Sequence, residues 1–120
     1  MDDLKCVDDD LVDLFDRYRV FYGKESSKQD ALAFLRERVE NEQYTIFVAA
    51  KIDDDVNGDG ERKLIGFAQL YPLYSSVRLK KLWMLNDLFV DDSFRNCGVG
   101  VELIERSKEL VEQTNACGYF

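Results

Sequence analysis

Apolar residues recur along the chain with two different periods. Leu11, Phe15 and Tyr18 stand three and four residues apart, the spacing of one helix face, and Asp8, Asp9 or Asp10 can cap that helix at its start. Gly23 is placed to end it. Ser26 or Ser27 opens a second helical stretch with Leu32, Leu35 and Val39 as its stripe. The period then changes. Thr45 to Ala50 is a run of strand formers, Asp53 to Gly60 reads as a loop, and Leu64 to Tyr71 reads as a strand broken near Pro72. Leu4 to Val7 is a short candidate first strand.

The segment Leu82 to Val90 is apolar on both faces and predicts a central strand. Strict alternation puts Leu82, Met84, Asn86, Leu88 and Val90 on one face, and Trp83, Leu85, Asp87 and Phe89 on the other. Asn86 and Asp87 interrupt both patterns, and a polar pair in mid-strand needs partners. Leu103, Ile104, Ser107, Leu110 and Val111 form the stripe of a third helix, with Gly118 just beyond its end. The order β-α-α-β-β-β-α predicts an α+β fold, a mixed sheet with helices packed on it.

Composition narrows the picture. The 120 residues are enough for one domain and too few for two cores. No apolar run reaches the ~20 residues of a membrane span, and the start of the chain carries no secretory pattern, so a cytoplasmic protein without membrane contact is expected. The net charge of −8 repels phosphate backbones and argues against nucleic acid as a partner. A cationic small molecule suits that field, although the acids also serve solubility alone. The absence of histidine removes Ser-His-Asp and Cys-His chemistry. Cys6, Cys97 and Cys117 have neither disulfide nor zinc spacing, so no metal site follows.

The candidate chemistry lies in Arg95-Asn96-Cys97-Gly98-Val99-Gly100, between the last strand and the third helix. A glycine lets a bulky anion approach the backbone, and the N–H groups opening a helix lack internal partners. Strand, glycine turn and helix start together make a diphosphate cradle, and Arg95 can add charge-assisted bonds. By spacing alone, G-x-G before a helix is equally ordinary turn chemistry. It is neither a P-loop nor a dinucleotide fingerprint, since no Gly-Lys follows and Leu103 stands in the third glycine's place.

The wider stretch, Asn86 to Val90 followed by Arg95 to Gly100, resembles motif A of the GNAT superfamily of acyl-CoA N-acyltransferases. So do Tyr18 to Gly23, Ile46 to Ala49 and Gly66 to Pro72 with Ser75 to Val77, so the resemblance covers nearly all of residues 1–120 as one domain. It implies that acetyl-CoA rests its diphosphate on Arg95, Asn96, Cys97, Gly98, Val99 and Gly100, and that its pantetheine arm pairs with Leu88, Phe89 and Val90 like an added strand. A strand-end N–H would then polarise the thioester carbonyl. A small-molecule amine, of polyamine-like character, would approach from the opposite side, with Asp87 as its contact. The competing reading gives Asp87 and Asn86 only loop-holding hydrogen bonds. Tyr71, Tyr74 and Trp83 are candidates for an acceptor pocket or for sheet packing. Cys97 sits where a helix start lowers a thiol pKa, and direct acyl transfer leaves it a small loop residue.

The same resemblance implies a GNAT-like, mostly antiparallel sheet flanked by helices, and a domain incomplete at its C-terminus. A further strand, a helix and a Tyr that protonates the leaving thiolate are expected after the third helix, and Tyr119 comes too early for that role. The Leu82–Val90 strand would then have an uncovered edge, for which a homodimer is the expected solution. The alternative function is a catalytically inactive acyl-CoA-binding or interaction module. Asp53-x-Asp55-x-Asn57-Gly58 matches the opening of a calcium loop, but Leu64 replaces the bidentate Glu, and a hairpin loop explains it better.

Overall fold

The computed structural model describes residues 2–3, 7–53 and 61–116. Its elements are β1 (Asp2–Asp3), α1 (Asp9–Phe21), α2 (Lys28–Glu40), β2 (Thr45–Asp53), β3 (Glu61–Ser75), β4 (Lys80–Val90), a 3-10 turn (Asp92–Phe94) and α3 (Val99–Gln113). The order is the one the periodicity predicts. Every pairing is antiparallel, in the sheet order β1-β2-β3-β4. The Leu4–Cys6 part of the expected first strand, most of the acidic loop, and Gly118 lie outside the described residues, as do Cys6, Cys117 and Tyr119.

Capping explains where the helices begin. Asp8 accepts from the Leu11 N–H at 2.9 Å and opens α1; Ser27 accepts from the Asp30 N–H at 3.3 Å and opens α2. Gly23, at φ +84°, ends α1 in the left-handed region, donating to the Val20 carbonyl at 2.9 Å. The buried Asp16 holds the α1–α2 connection, accepting from Ser26 Oγ at 2.5 Å and the Ser27 N–H at 2.8 Å. Those bonds, the Ser26 hydroxyl first, keep its carboxyl below the ordinary range.

Two cores sandwich the sheet. Leu11, Leu14, Phe15 and Leu35 of α1 and α2 pack on Ile46, Val48, Phe67 and Phe89. On the other face, α3 presents Leu103 to Phe47, Ala49, Ile65, Leu70 and Trp83. Gly66 sets how closely α3 approaches. A Cβ there would lie 3.1 Å from the Phe89 carbonyl oxygen, 3.2 Å from Val99 and 3.3 Å from Leu103.

Three sequence expectations need correction. First, β3 continues through Pro72 to Ser75. Its last pairing with β2 is at Leu70, so beyond that point β3 has a strand on one side only and tolerates a residue without an N–H. Second, β4 is the edge of the described sheet and not a central strand. Its apolar residues are covered by helices on both faces, which produces the same pattern as flanking strands. Third, strict alternation fails. Gln69 pairs with Asp87 and Leu70 with Leu85, leaving Asn86 as an extra residue. Trp83 and Leu85 therefore share the α3 face with Leu88 and Val90, while Phe89 stays on the α1–α2 face.

Candidate functional site

The bulge determines what the middle of β4 presents. Neighbours in a regular strand face opposite ways, yet Asn86 and Asp87 both line one cavity between β4, α1 and α2. Its volume is about 450 Å³, ordinary for a small-molecule site. Phe15, Tyr18, Tyr22, Phe34 and Tyr44 supply aromatic walls, and Arg19, Lys24 and Asp30 add charge.

Asp87 accepts from three neutral donors, which leaves Oδ1 with room for one more. Tyr18 Oη donates to Oδ1 at 2.8 Å, while Gln69 Nε2 and Asn86 Nδ2 donate to Oδ2 at 2.8 and 2.9 Å. No cation pairs with it within 4.0 Å among the described residues. The carboxylate is thus oriented and its charge is left unneutralised. Burial, and then the bond to Asp87, raise the Tyr18 pKa well above its ordinary value, so the phenol stays a donor. Tyr44 is raised too, by burial and then by the Asp87 charge. Phe67 and Phe89 fix the Tyr18 ring at centroid distances of 5.4 and 5.5 Å.

The other half of the candidate site follows β4. The Asp91 N–H donates to the Ile65 carbonyl at 2.7 Å, next to the Gly66↔Val90 pair. In an antiparallel ladder the hydrogen-bonded pairs alternate, so the N–H and C=O of Val90 and Leu88 point away from β3, toward the open edge. Phe89 turns its own backbone groups to β3 and its side chain into the core.

Beyond this edge the chain turns at Asp91, whose carboxylate accepts from Arg17 at 2.7 Å and from the Ser93 N–H at 2.9 Å. The Arg17 bond is the main reason its pKa lies below the ordinary value. Gly98, at φ +83°, caps α3 without a side-chain bond. The Glu102 N–H is the first of the helix to close, on the Gly98 carbonyl at 3.1 Å. Those of Val99, Gly100 and Val101 precede it and have no acceptor among the described residues. A second cavity, of about 380 Å³, opens here, lined by Val90, Arg95, Asn96, Gly98, Val99 and Gly100. A Cβ at Gly100 would meet only Val90 Cγ2, at 3.9 Å, so packing within the protein does not require a glycine there.

The sequence-selected residues divide accordingly. Arg95, Asn96, Gly98, Val99 and Gly100 come together around one cavity, with the outward backbone of Leu88 and Val90 beside it. Cys97 is exposed and outside that lining, its thiol 3.7 Å from the Arg95 carbonyl. Arg95 is folded back. Its Nε donates to the Val90 carbonyl at 3.2 Å, Nη1 pairs with Asp92 at 2.8 Å, and the guanidinium lies over Phe21 and Phe89. Of the candidate pocket aromatics, Trp83 is core and donates to Thr114 Oγ1 at 2.9 Å, and Tyr74 is exposed near the β3–β4 turn. Tyr71 stacks on Tyr44 at 5.8 Å and is outside this cavity's lining, but it lines an adjoining one of about 550 Å³ that shares Tyr44 and Asn86. Tyr18, which the sequence shows only as part of the α1 stripe, is the site residue that periodicity alone does not reveal. The available signal was a residue with an apolar body and a polar tip at a core position, facing a strand with an unexplained Asp.

A family model described as "Acetyltransferase (GNAT) family" matches residues 9–120. An uncharacterized N-acetyltransferase of Bacillus subtilis (strain 168), YhfO, is 41% identical over 106 residues, which is 88% of this chain and 65% of that protein. A probable acetyltransferase of Haemophilus influenzae is 32% identical over 106 residues, with 88% and 67% covered. A crystal structure of a probable acetyltransferase superposes with a TM-score of 0.80 at 35% identity, over 91% of this chain and 68% of that one. The chain therefore spans about two thirds of the length of these relatives.

Proposed function

Because the chain belongs to the GNAT family of acetyltransferases, we propose that it transfers the acetyl group of acetyl-CoA to a small-molecule amine. One observation carries the reading: two open cavities flank the end of β4, one lined by Asn86 and Asp87 on the α1–α2 side and the other by Val90 at the start of α3. The α3 start supplies unpaired amides, two glycines and the positive end of a helix dipole, a set of groups suited to a diphosphate. The outward backbone of Leu88 and Val90 suits the amides of a pantetheine arm laid along the edge. Arg95 lines the cavity at the α3 start and, released from Asp92, can reach an anion in it.

On the α1–α2 side, the Asp87 carboxylate and the surrounding rings attract an ammonium group, and Tyr18, Gln69 and Asn86 fix the carboxylate's position. The amine sheds its proton to water and attacks the thioester carbon with its lone pair. The C–S bond then breaks, an amide forms, and the CoA thiolate takes up a proton. Most of the acceleration comes from orientation across the strand and from stabilisation of the oxyanion by backbone N–H.

A second copy is expected to cover part of the β4 edge. To coexist with a pantetheine arm, it must pair along Lys80–Leu85 and leave Leu88–Val90 open. Exposed Tyr74, Val77 and Leu79 at the hairpin end favour such a contact.

A thermal-shift titration with acetyl-CoA, followed by thiol release over a panel of amines, tests the reading. A shift without release for any amine assigns instead a non-catalytic acyl-CoA-binding module. Neither shift nor release rejects both.

A further inference from the structure

We propose that the acceptor is an ampholyte, a small amine carrying a carboxylate or comparable anion on an apolar body, and not a polycation. The inference rests on the reading above in that it assigns the α1–α2 cavity to the acceptor. The walls of that cavity are not uniformly anionic. Asp87 and Asp30 are matched by Arg19 and Lys24, although the whole chain carries a net charge of −8.

Arg19 is the more informative cation. Its Nη1 is shielded from solvent and has no acceptor among the described residues. An unpaired, shielded guanidinium N–H costs free energy, and an anion recovers it once Arg19 turns Nη1 into the cavity that its side chain already lines. Asp16 is close enough for the Arg19 charge to stabilise its carboxylate, but its two oxygens are turned to Ser26 and Ser27. Lys24 stands exposed at the same cavity on the α1–α2 connection, with no carboxylate within 4.0 Å among the described residues.

A ligand amine at Asp87 would lie among Tyr18, Phe15 and Tyr44, and its anion would reach toward Arg19 and Lys24. The aromatic walls between them favour an apolar body. A polyamine would set a second ammonium group against those two cations, a repulsion that discriminates against it. The polyamine-like acceptor implied by the sequence resemblance therefore fits Asp87 and fails at the opposite wall.

Calorimetry on the full chain, with CoA present as the non-transferring form of the donor, tests this with leucine, leucinamide, 3-methylbutylamine and spermidine. Leucine is expected to bind at least tenfold more tightly than each of the others. Arg19→Gln and, separately, the exposed Lys24→Gln should each reduce that preference. Equal or tighter binding of leucinamide or spermidine, no binding by any of the four, or a preference unchanged in both variants overturns the inference. Leucine preference without thiol release for any amine keeps the cavity as an ampholyte-binding site and rejects the transferase reading, and with it the name of acceptor. Acetylation of spermidine in preference to leucine does the reverse.

Discussion

Replacing Gly100 with alanine should separate the needs of the fold from the needs of the ligand. Within the protein the added Cβ meets only Val90 Cγ2, at 3.9 Å, an ordinary contact. Gly100 is the second residue of α3, where alanine is preferred to glycine by up to about 1 kcal/mol. Stability should therefore hold or rise, and Tm with it by up to about 4–8 °C. If the diphosphate lies as proposed, at the amides of Val99 to Val101, the same methyl group would crowd it in the cavity that Gly100 lines. Overfilling a close contact costs roughly 1–3 kcal/mol, which corresponds to acetyl-CoA binding weaker by about 5- to 150-fold. Differential scanning fluorimetry measures the first effect and calorimetry with acetyl-CoA the second. A variant that binds acetyl-CoA as tightly as the parent would refute the placement of the diphosphate. A variant that melts several degrees lower would refute the claim that the fold has no need of a glycine there.

Gly66→Ala should behave in the opposite way, because its Cβ meets the Phe89 carbonyl and two α3 side chains at 3.1–3.3 Å; a loss of about 1–3 kcal/mol is expected in urea titration. Asp87→Asn can keep its oxygen on Gln69 Nε2 and Asn86 Nδ2 and turn its NH2 to the Tyr18 hydroxyl, which can accept, so stability should change by less than about 1 kcal/mol while kcat/KM for amine acetylation falls with the lost charge. Asp16 titrates below its ordinary value in the folded state, so the stability it contributes is complete above about pH 4 and disappears as pH falls through the folded-state pKa. Asp16→Asn should lower the plateau at neutral pH and flatten that acid limb in pH-dependent thermal melts. Light scattering at micromolar concentration should give the mass of two chains; a stable monomer rejects the proposed pairing along Lys80–Leu85.

The helices and their caps were legible in the sequence because they rest on local rules. Asp8 and Ser27 cap what the 3.6-residue stripes begin, and Gly23 ends what it was placed to end. The glycine turn at Gly98 was legible for the same reason. The interior of β4 was not, because its register depends on β3. Nothing local marks Asn86 as an extra residue, and strict alternation put Trp83 on the face it does not occupy. The cavity was illegible as well. Tyr18 and Asp87 are 69 positions apart and meet only after α1 packs on the sheet. Arg95 was correctly placed near the turn but not in its posture, since its attachment to Val90 and Asp92 depends on the geometry of the 3-10 turn.

The unpaired residue in β4 has a consequence for how this chain can vary in length. It acts as a half-period phase slip, after which inside and outside exchange. Removing that single residue would leave every amino acid type in place and still turn Trp83 and Leu85 from one layer of the molecule to the other. Insertions and deletions upstream in this strand should therefore be tolerated in pairs and not singly. A library of one- and two-residue length variants, sorted by soluble expression, would show that parity directly.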